Sequence, residues 1–150
     1  MGQSFTCLHY HVIFSTKHRA PQITSDFRQR LYDYMGGILK SENGSLIAAG
    51  GAGDHVHLLI RLHAQTSVAD ALRIIKTNSS KWVHETLANK GDFAWQTGYA
   101  AFTVSRSNVA LVRRYIETQE EHHQRVTFQE ELIAFLKKHG LEYDERYIWE

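Results

Sequence analysis

At 150 residues, with 43% hydrophobic and 22% charged residues, the chain is sized for one globular domain with its own core. Composition argues against disorder, and the absence of any apolar run of about 18 to 20 residues argues against a membrane span. The formal charge is +1, and the single cysteine, Cys7, has no internal disulfide partner. Together with an N-terminus that lacks a signal-peptide layout, this predicts a cytoplasmic protein in a reducing compartment.

Leu8 to Ser15 alternates, with Leu8, Tyr10, Val12 and Phe14 on one side, as a half-buried strand does. Lys17-His18-Arg19-Ala20-Pro21 breaks that pattern. A helix follows from an N-cap at Thr24 or Ser25, with Phe27, Leu31, Tyr34, Met35, Ile38 and Leu39 at helical spacing, up to Glu42-Asn43-Gly44. A second strand runs from Ser45 to Ala49 and ends in Gly50-Gly51-Ala52-Gly53. The third strand begins at once, with Val56, Leu58, Ile60 and Leu62 on the core side and His55, His57, Leu59 and Arg61 on the other.

Ser67-Val68-Ala69-Asp70 reads as a capped helix start, followed by a stripe of Val68, Leu72, Ile75, Trp82 or Val83, and Leu87. A loop at Phe93 to Gly98 leads to a fourth strand, Tyr99 to Ser105, with Ala100, Phe102 and Val104 on one side. A third helix starts near Ser107-Asn108 and carries Val109, Val112, Tyr115, Ile116 and Gln119, with His122 and His123 extending the same side. Thr127-Phe128-Gln129-Glu130 is a capping box for a last helix that stops at Lys137-Lys138-His139-Gly140. The order β-α-β-β-α-β predicts an α+β, ferredoxin-like (RRM-like) fold. It has a central antiparallel sheet, its crossover helices on one face and extra C-terminal helices, and it leaves the other sheet face open for binding.

Charge is unevenly distributed. Residues 73–114 hold seven Lys/Arg against two acids, whereas residues 115–150 hold four against nine. A basic stretch of this kind suits phosphate contacts, and it equally suits a solvated helix face. The candidate DNA contacts are Lys17 and Arg19 after the first strand and Arg73, Lys76 and Lys81 on the second helix. Trp95, Tyr99 and Phe102 supply aromatic surface, although Phe102 and Trp95 also fit a core.

His55 and His57 project from the same side of one strand, about 6.5 to 7 Å apart at Cα, close enough to share a metal ion. A polar cross-strand pair and a nucleic-acid-facing pair remain open readings of the same spacing. Asp54 suits the turn before them. Tyr115 and Gln119 stand four apart, one turn apart on one helix face. A phenol with a pKa near 10 is a weak nucleophile, so it needs a divalent metal to polarise its target, and the Gln119 oxygen is placed to join that ion. Two imidazoles with an amide oxygen suit Mg2+ or Mn2+ better than structural zinc. An ordinary amphipathic helix also explains Tyr115.

Several blocks in order resemble the HUH-superfamily single-tyrosine transposases of small insertion sequences. They are Asp54-His55-Val56-His57-Leu58-Leu59, Phe93 to Ser105, Tyr115 to His123, Phe128-Gln129-Glu130-Glu131 and Asp144 to Trp149. The resemblance implies that His55, His57 and Gln119 are metal ligands and Tyr115 the nucleophile. It further implies a DNA transposase that cleaves and rejoins single strands at hairpin-forming element ends through a 5′-phosphotyrosine. It also implies a homodimer in which the histidines of one subunit can meet the tyrosine helix of the other. The competing classes are a non-catalytic, domesticated hairpin DNA/RNA-binding module, a relaxase or replication initiator, whose further domains 150 residues do not accommodate, and a metallohydrolase.

Overall fold

The computed structural model describes residues 2–122 and 125–149, without the side chain of His122. The expected continuation of the tyrosine-bearing face through His122 and His123 lies outside the described residues. Four strands, β1 (His9–Ser15), β2 (Ser45–Gly51), β3 (His55–Arg61) and β4 (Ala100–Val104), form one sheet in the order β2-β3-β1-β4. All pairings are antiparallel. With α1 (Arg28–Ser41) between β1 and β2 and α2 (Val68–Thr86) between β3 and β4, this is the ferredoxin-like arrangement. No described helix is long and apolar enough to cross a membrane.

Alternation along β1 and β3 sends Val12, Phe14, Val56, Leu58 and Ile60 into the main core, where Leu31, Met35 and Leu39 of α1 and Leu72, Ile75 and Val83 of α2 meet them. Val83, not Trp82, completes the α2 stripe; Trp82 sits at its margin, its ring stacked 5.3 Å from Tyr34. The α2 start is capped as its sequence requires, Ser67 Oγ accepting from Asp70 N at 3.0 Å. At α1 the capping residue is Phe27, without a side-chain cap. The Thr24 carbonyl accepts from both Phe27 N and Arg28 N, so the chain turns one residue group earlier and burial of Phe27 fixes the entry.

The second sheet face is not open. Helix α3 (Val109–Glu117), the short α4 (Gln119–His122) and α5 (Phe128–Lys138) cover it. Ile116 packs on Ala48 and Leu59, and Phe128 and Leu132 pack on Ile13 and Phe102. The apolar side of β4 points to these helices, which is why Ala100, Phe102 and Val104 alternate as they do. Helix α5 begins with the expected capping box, in which Thr127 Oγ1 accepts from Glu130 N and donates to Glu130 Oε1. It ends in a Schellman turn, with Gly140 at φ 67°, Leu141 N bonded to Leu136 O and Gly140 N to Lys137 O.

Strand β2 continues two residues past Ala49 because glycine permits it. A Cβ on Gly50 would lie 2.0 Å from the Ile116 carbonyl oxygen. Gly50 pairs with His57, so this bare position lets the end of α3 sit directly against the histidine strand.

Candidate active site

His55 and His57 occupy the covered face and are both fully buried. A buried imidazole needs partners for its ring nitrogens, and each ring finds one through Nδ1. His55 Nδ1 lies 2.7 Å from Asp54 Oδ1, and His57 Nδ1 lies 2.8 Å from His11 Nε2. Asp54 therefore does more than shape a turn. Engaging Nδ1 makes Nε2 the ring atom for a metal, the arrangement by which outer partners orient histidine ligands.

Opposite them stands Glu131 on α5, 3% exposed, with Oε1 2.8 Å from His57 Nε2. Its other oxygen, Oε2, accepts a hydrogen bond from the Tyr115 phenol. Donor atoms of His55, His57 and Glu131 all lie within 4.8 Å of one another. Two imidazoles and a carboxylate on this scale are a donor set that fits a divalent ion. Rings close the surroundings: Phe128 stacks on His55 at 4.4 Å, and Tyr115 meets His57 edge-on at 5.9 Å. Phe135 lies edge-on to both His11 and Tyr115.

Electrostatics follow from this burial. His11 is held neutral, its pKa pushed down to about 3 chiefly by desolvation and then by neighbouring His57, with Glu131 opposing. The Tyr115 phenol is pushed well above its ordinary value by desolvation, by its hydrogen bond to Glu131 and by that carboxylate's charge. The nucleophile candidate is therefore a neutral phenol at neutral pH.

The structure brings Tyr115 to the histidine pair within one chain. It does not keep Tyr115 and Gln119 on one continuous helix, because α3 ends at Thr118, whose hydroxyl turns back to the Arg114 carbonyl at 3.0 Å. Gln119 opens α4, is buried, and its amide donates to the Tyr115 carbonyl at 3.4 Å. It borders a cavity shared with Gly50, Gly51 and Ile116.

Of the basic candidates, Lys17 and Arg19 flank a cavity at the end of β1. Arg73 and Lys81 are exposed and pair loosely with Asp70 and Glu85 on their own helix. Lys76 is half-buried: Nζ donates to the carbonyls of Gln96, Thr97 and Gly98, tying down the loop before β4. Desolvation lowers its pKa to about 8. Trp95 and Phe102 are core residues, as their patterns allow, and Tyr99 is exposed.

Two participants escape the sequence reading, His11 and Glu131. The signal for His11 was its place on the same side of β1 as Ile13 and Ser15, facing β3. For Glu131 it was a second acid directly after the capping glutamate, one residue further round α5.

Comparison with known proteins places the chain in a family. The "Transposase IS200 like" family model matches residues 4–119. The ISDra2 transposase TnpA of Deinococcus radiodurans is 28% identical over 119 residues, covering 76% of this chain and 85% of that protein. The transposase of insertion sequence element IS200 from Salmonella typhimurium is 25% identical over 117 residues, covering 75% and 76%. A transposase crystal structure from Deinococcus radiodurans R1 superposes with a TM-score of 0.64 at 27% identity, over 79% of this chain and 96% of that one. A REP-associated tyrosine transposase bound to a REP hairpin shares the fold at 14% identity, with a TM-score of 0.60 over 84% and 76%. With a family model matching most of its length, the chain belongs to the IS200-like transposases, enzymes that cut and rejoin DNA.

Proposed function

We propose that this transposase cleaves single-stranded DNA at the hairpin-forming ends of its element through a 5′-phosphotyrosine on Tyr115. The observation that carries the reading is the convergence of a phenol, two histidines and a carboxylate from three separate elements on one buried point. His55 and His57 would hold a divalent ion, Mg2+ or Mn2+. Two oxygen donors serve that site: Glu131, already within the cluster, and Gln119, buried behind Tyr115. When bound, such an ion neutralises charge on the phosphate that is attacked.

A phosphate reaches the phenol by way of a pocket of about 300 Å³ bordered by Tyr115, Glu131, Phe135 and Lys138. Tyr115 Oη forms a bond to phosphorus while the bond from phosphorus to the 3′ oxygen breaks, and that oxygen takes up a proton from solvent and leaves as a 3′-hydroxyl. Because burial keeps the phenol neutral, its proton must leave during attack, and Glu131 Oε2 is the acceptor already in contact. One ester replaces another, so a second 3′-hydroxyl can displace Tyr115 and rejoin the strand without ATP.

The test is incubation of the protein with labelled single strands from the DNA flanking its coding sequence, plus Mn2+. A denaturation-resistant protein–DNA adduct is expected from the natural protein and none from Tyr115→Phe, which should still bind hairpins. An adduct that survives the substitution overturns the assignment. Tyr115 meets His57 of its own chain, and the proposed site is assembled within one subunit of any homodimer. Mixing Tyr115→Phe with His57→Ala copies should then restore no cleavage, whereas a site shared between subunits would regain it. Titration of Mn2+ by calorimetry without DNA ranks the oxygen donors, the greater loss of affinity, in Glu131→Gln or Gln119→Ala, marking the third ligand.

A further inference from the structure

Between β1 and α1 the backbone does something costly. His18 and Arg19 have φ of 58° and 55°, consecutive left-handed residues that are neither glycine nor asparagine. Such conformations persist only where the surroundings over-determine them, and they gather at functional sites. Here the fully buried Thr16 does the holding: its hydroxyl donates to the Ala20 carbonyl at 2.7 Å, and its own carbonyl accepts from Arg19 N at 3.0 Å. Lys17 N is tied in turn to the Ala94 carbonyl at 2.8 Å.

The result is that Lys17, His18 and Arg19 line a cavity of about 650 Å³ together with Trp95, Gln96 and Trp149. Trp95 and Gln96 are tied in place. The Trp95 indole donates to Ser79 Oγ at 3.0 Å, the Gln96 side-chain oxygen accepts from Ser15 N, and Lys76 clamps the carbonyls that follow. The guanidinium of Arg19 stands 5.5 Å over the Trp149 ring. Among the described residues, no carboxylate lines it.

A cavity this large, lined by both cations and indoles, suits a ligand that is both anionic and flat. A nucleotide with an unstacked base meets both demands, since bases stack on aromatic side chains irrespective of sequence while phosphates take the cations. The position agrees. Phe128 stacks on His55 on one side and meets Trp149 at 6.4 Å on the other, so a single aromatic layer separates the cavity from the histidine pair. We propose that this cavity takes one unpaired nucleotide next to the cleaved phosphate, its base packed on Trp149 and its phosphate on Lys17 and Arg19. The inference rests on the single-stranded DNA reading above.

The experiment separates the two. Tyr115→Phe protein, without divalent metal, is titrated by fluorescence anisotropy against a fluorescein-labelled single strand from the flanking DNA, with one abasic site stepped through every position. One position should lose roughly tenfold in affinity, the worth of one base–aromatic stack. Adding Trp149→Ala should erase that penalty, and Trp149→Phe should keep most of it. Lys17→Ala with Arg19→Ala should flatten the salt dependence by roughly one to two in logarithmic slope, with circular dichroism checking that each variant stays folded. A flat abasic profile, or a penalty undiminished in Trp149→Ala, overturns the cavity alone. Failure to bind any single strand overturns the DNA reading as well.

Discussion

The two faces of this sheet are buried to the same degree and built on opposite principles. On the face toward α1 and α2, Val56, Leu58 and Ile60 join the main hydrophobic core. On the face toward α3 and α5, the alternate residues of the same strand are His55 and His57. The first face tolerates any shape that fills its volume. The second must find partners for buried nitrogens, and Asp54 meets His55 Nδ1 while His11 and Glu131 meet the two nitrogens of His57, so that a change in one partner is felt by the others. Burial therefore gives stability on one side and geometry on the other.

Substitutions on each face sharpen this contrast. The largest effect is expected from His57→Ala: adduct formation should fall below detection at every Mn2+ or Mg2+ concentration, and recovery at high metal would show that the residue is no ligand. The same change strips a partner from both His11 and Glu131, and chemical denaturation should register about 1–3 kcal/mol of lost stability. Leu58→Ala, its neighbour on the other face, should cost more in stability, ~2–5 kcal/mol, yet leave adduct formed per folded molecule within about twofold of the parent. A large loss of specific activity in Leu58→Ala would break the division between the faces.

Gly50→Ala tests the seam between the faces and the tyrosine helix. Its Cβ would collide with the Ile116 carbonyl, so α3 must move away from β2, with an expected ~1–3 kcal/mol of destabilisation. Cleavage should suffer out of proportion, since Tyr115 precedes Ile116; unchanged cleavage in a folded Gly50→Ala protein would mean that the α3 contact does not position the phenol. The smallest effect belongs to Thr127→Ala, which removes the α5 cap for about 1 kcal/mol. Thermal melts should show that cost, and slower adduct formation would reveal that α5 must stay docked to hold Glu131.

Much of this was written locally. The period of two in β1, β3 and β4 and the Ser67 and Thr127 caps place their elements correctly, because strand alternation and capping depend on residues within one or two turns of each other. Where the reading slipped, one cause was local and the other distant. The last turn of the tyrosine helix follows helical spacing through Gln119, but α3 stops at Thr118, whose hydroxyl bonds back to the Arg114 carbonyl. The second sheet face reads as open because the helices that cover it arrive from the end of the chain.

By itself, then, the amino-acid sequence determined that His55 and His57 share a side, that Tyr115 rides an amphipathic helix and that four strands alternate with helices. Only the tertiary structure decided that Glu131, 74 residues beyond His57, bridges the pair to the phenol, and that His11, 46 residues before it, orients the ring. Neither contact has a periodicity to announce it. A side chain's direction is a property of its own backbone, whereas the partner it meets is set by how helices and sheet pack to bury the rest.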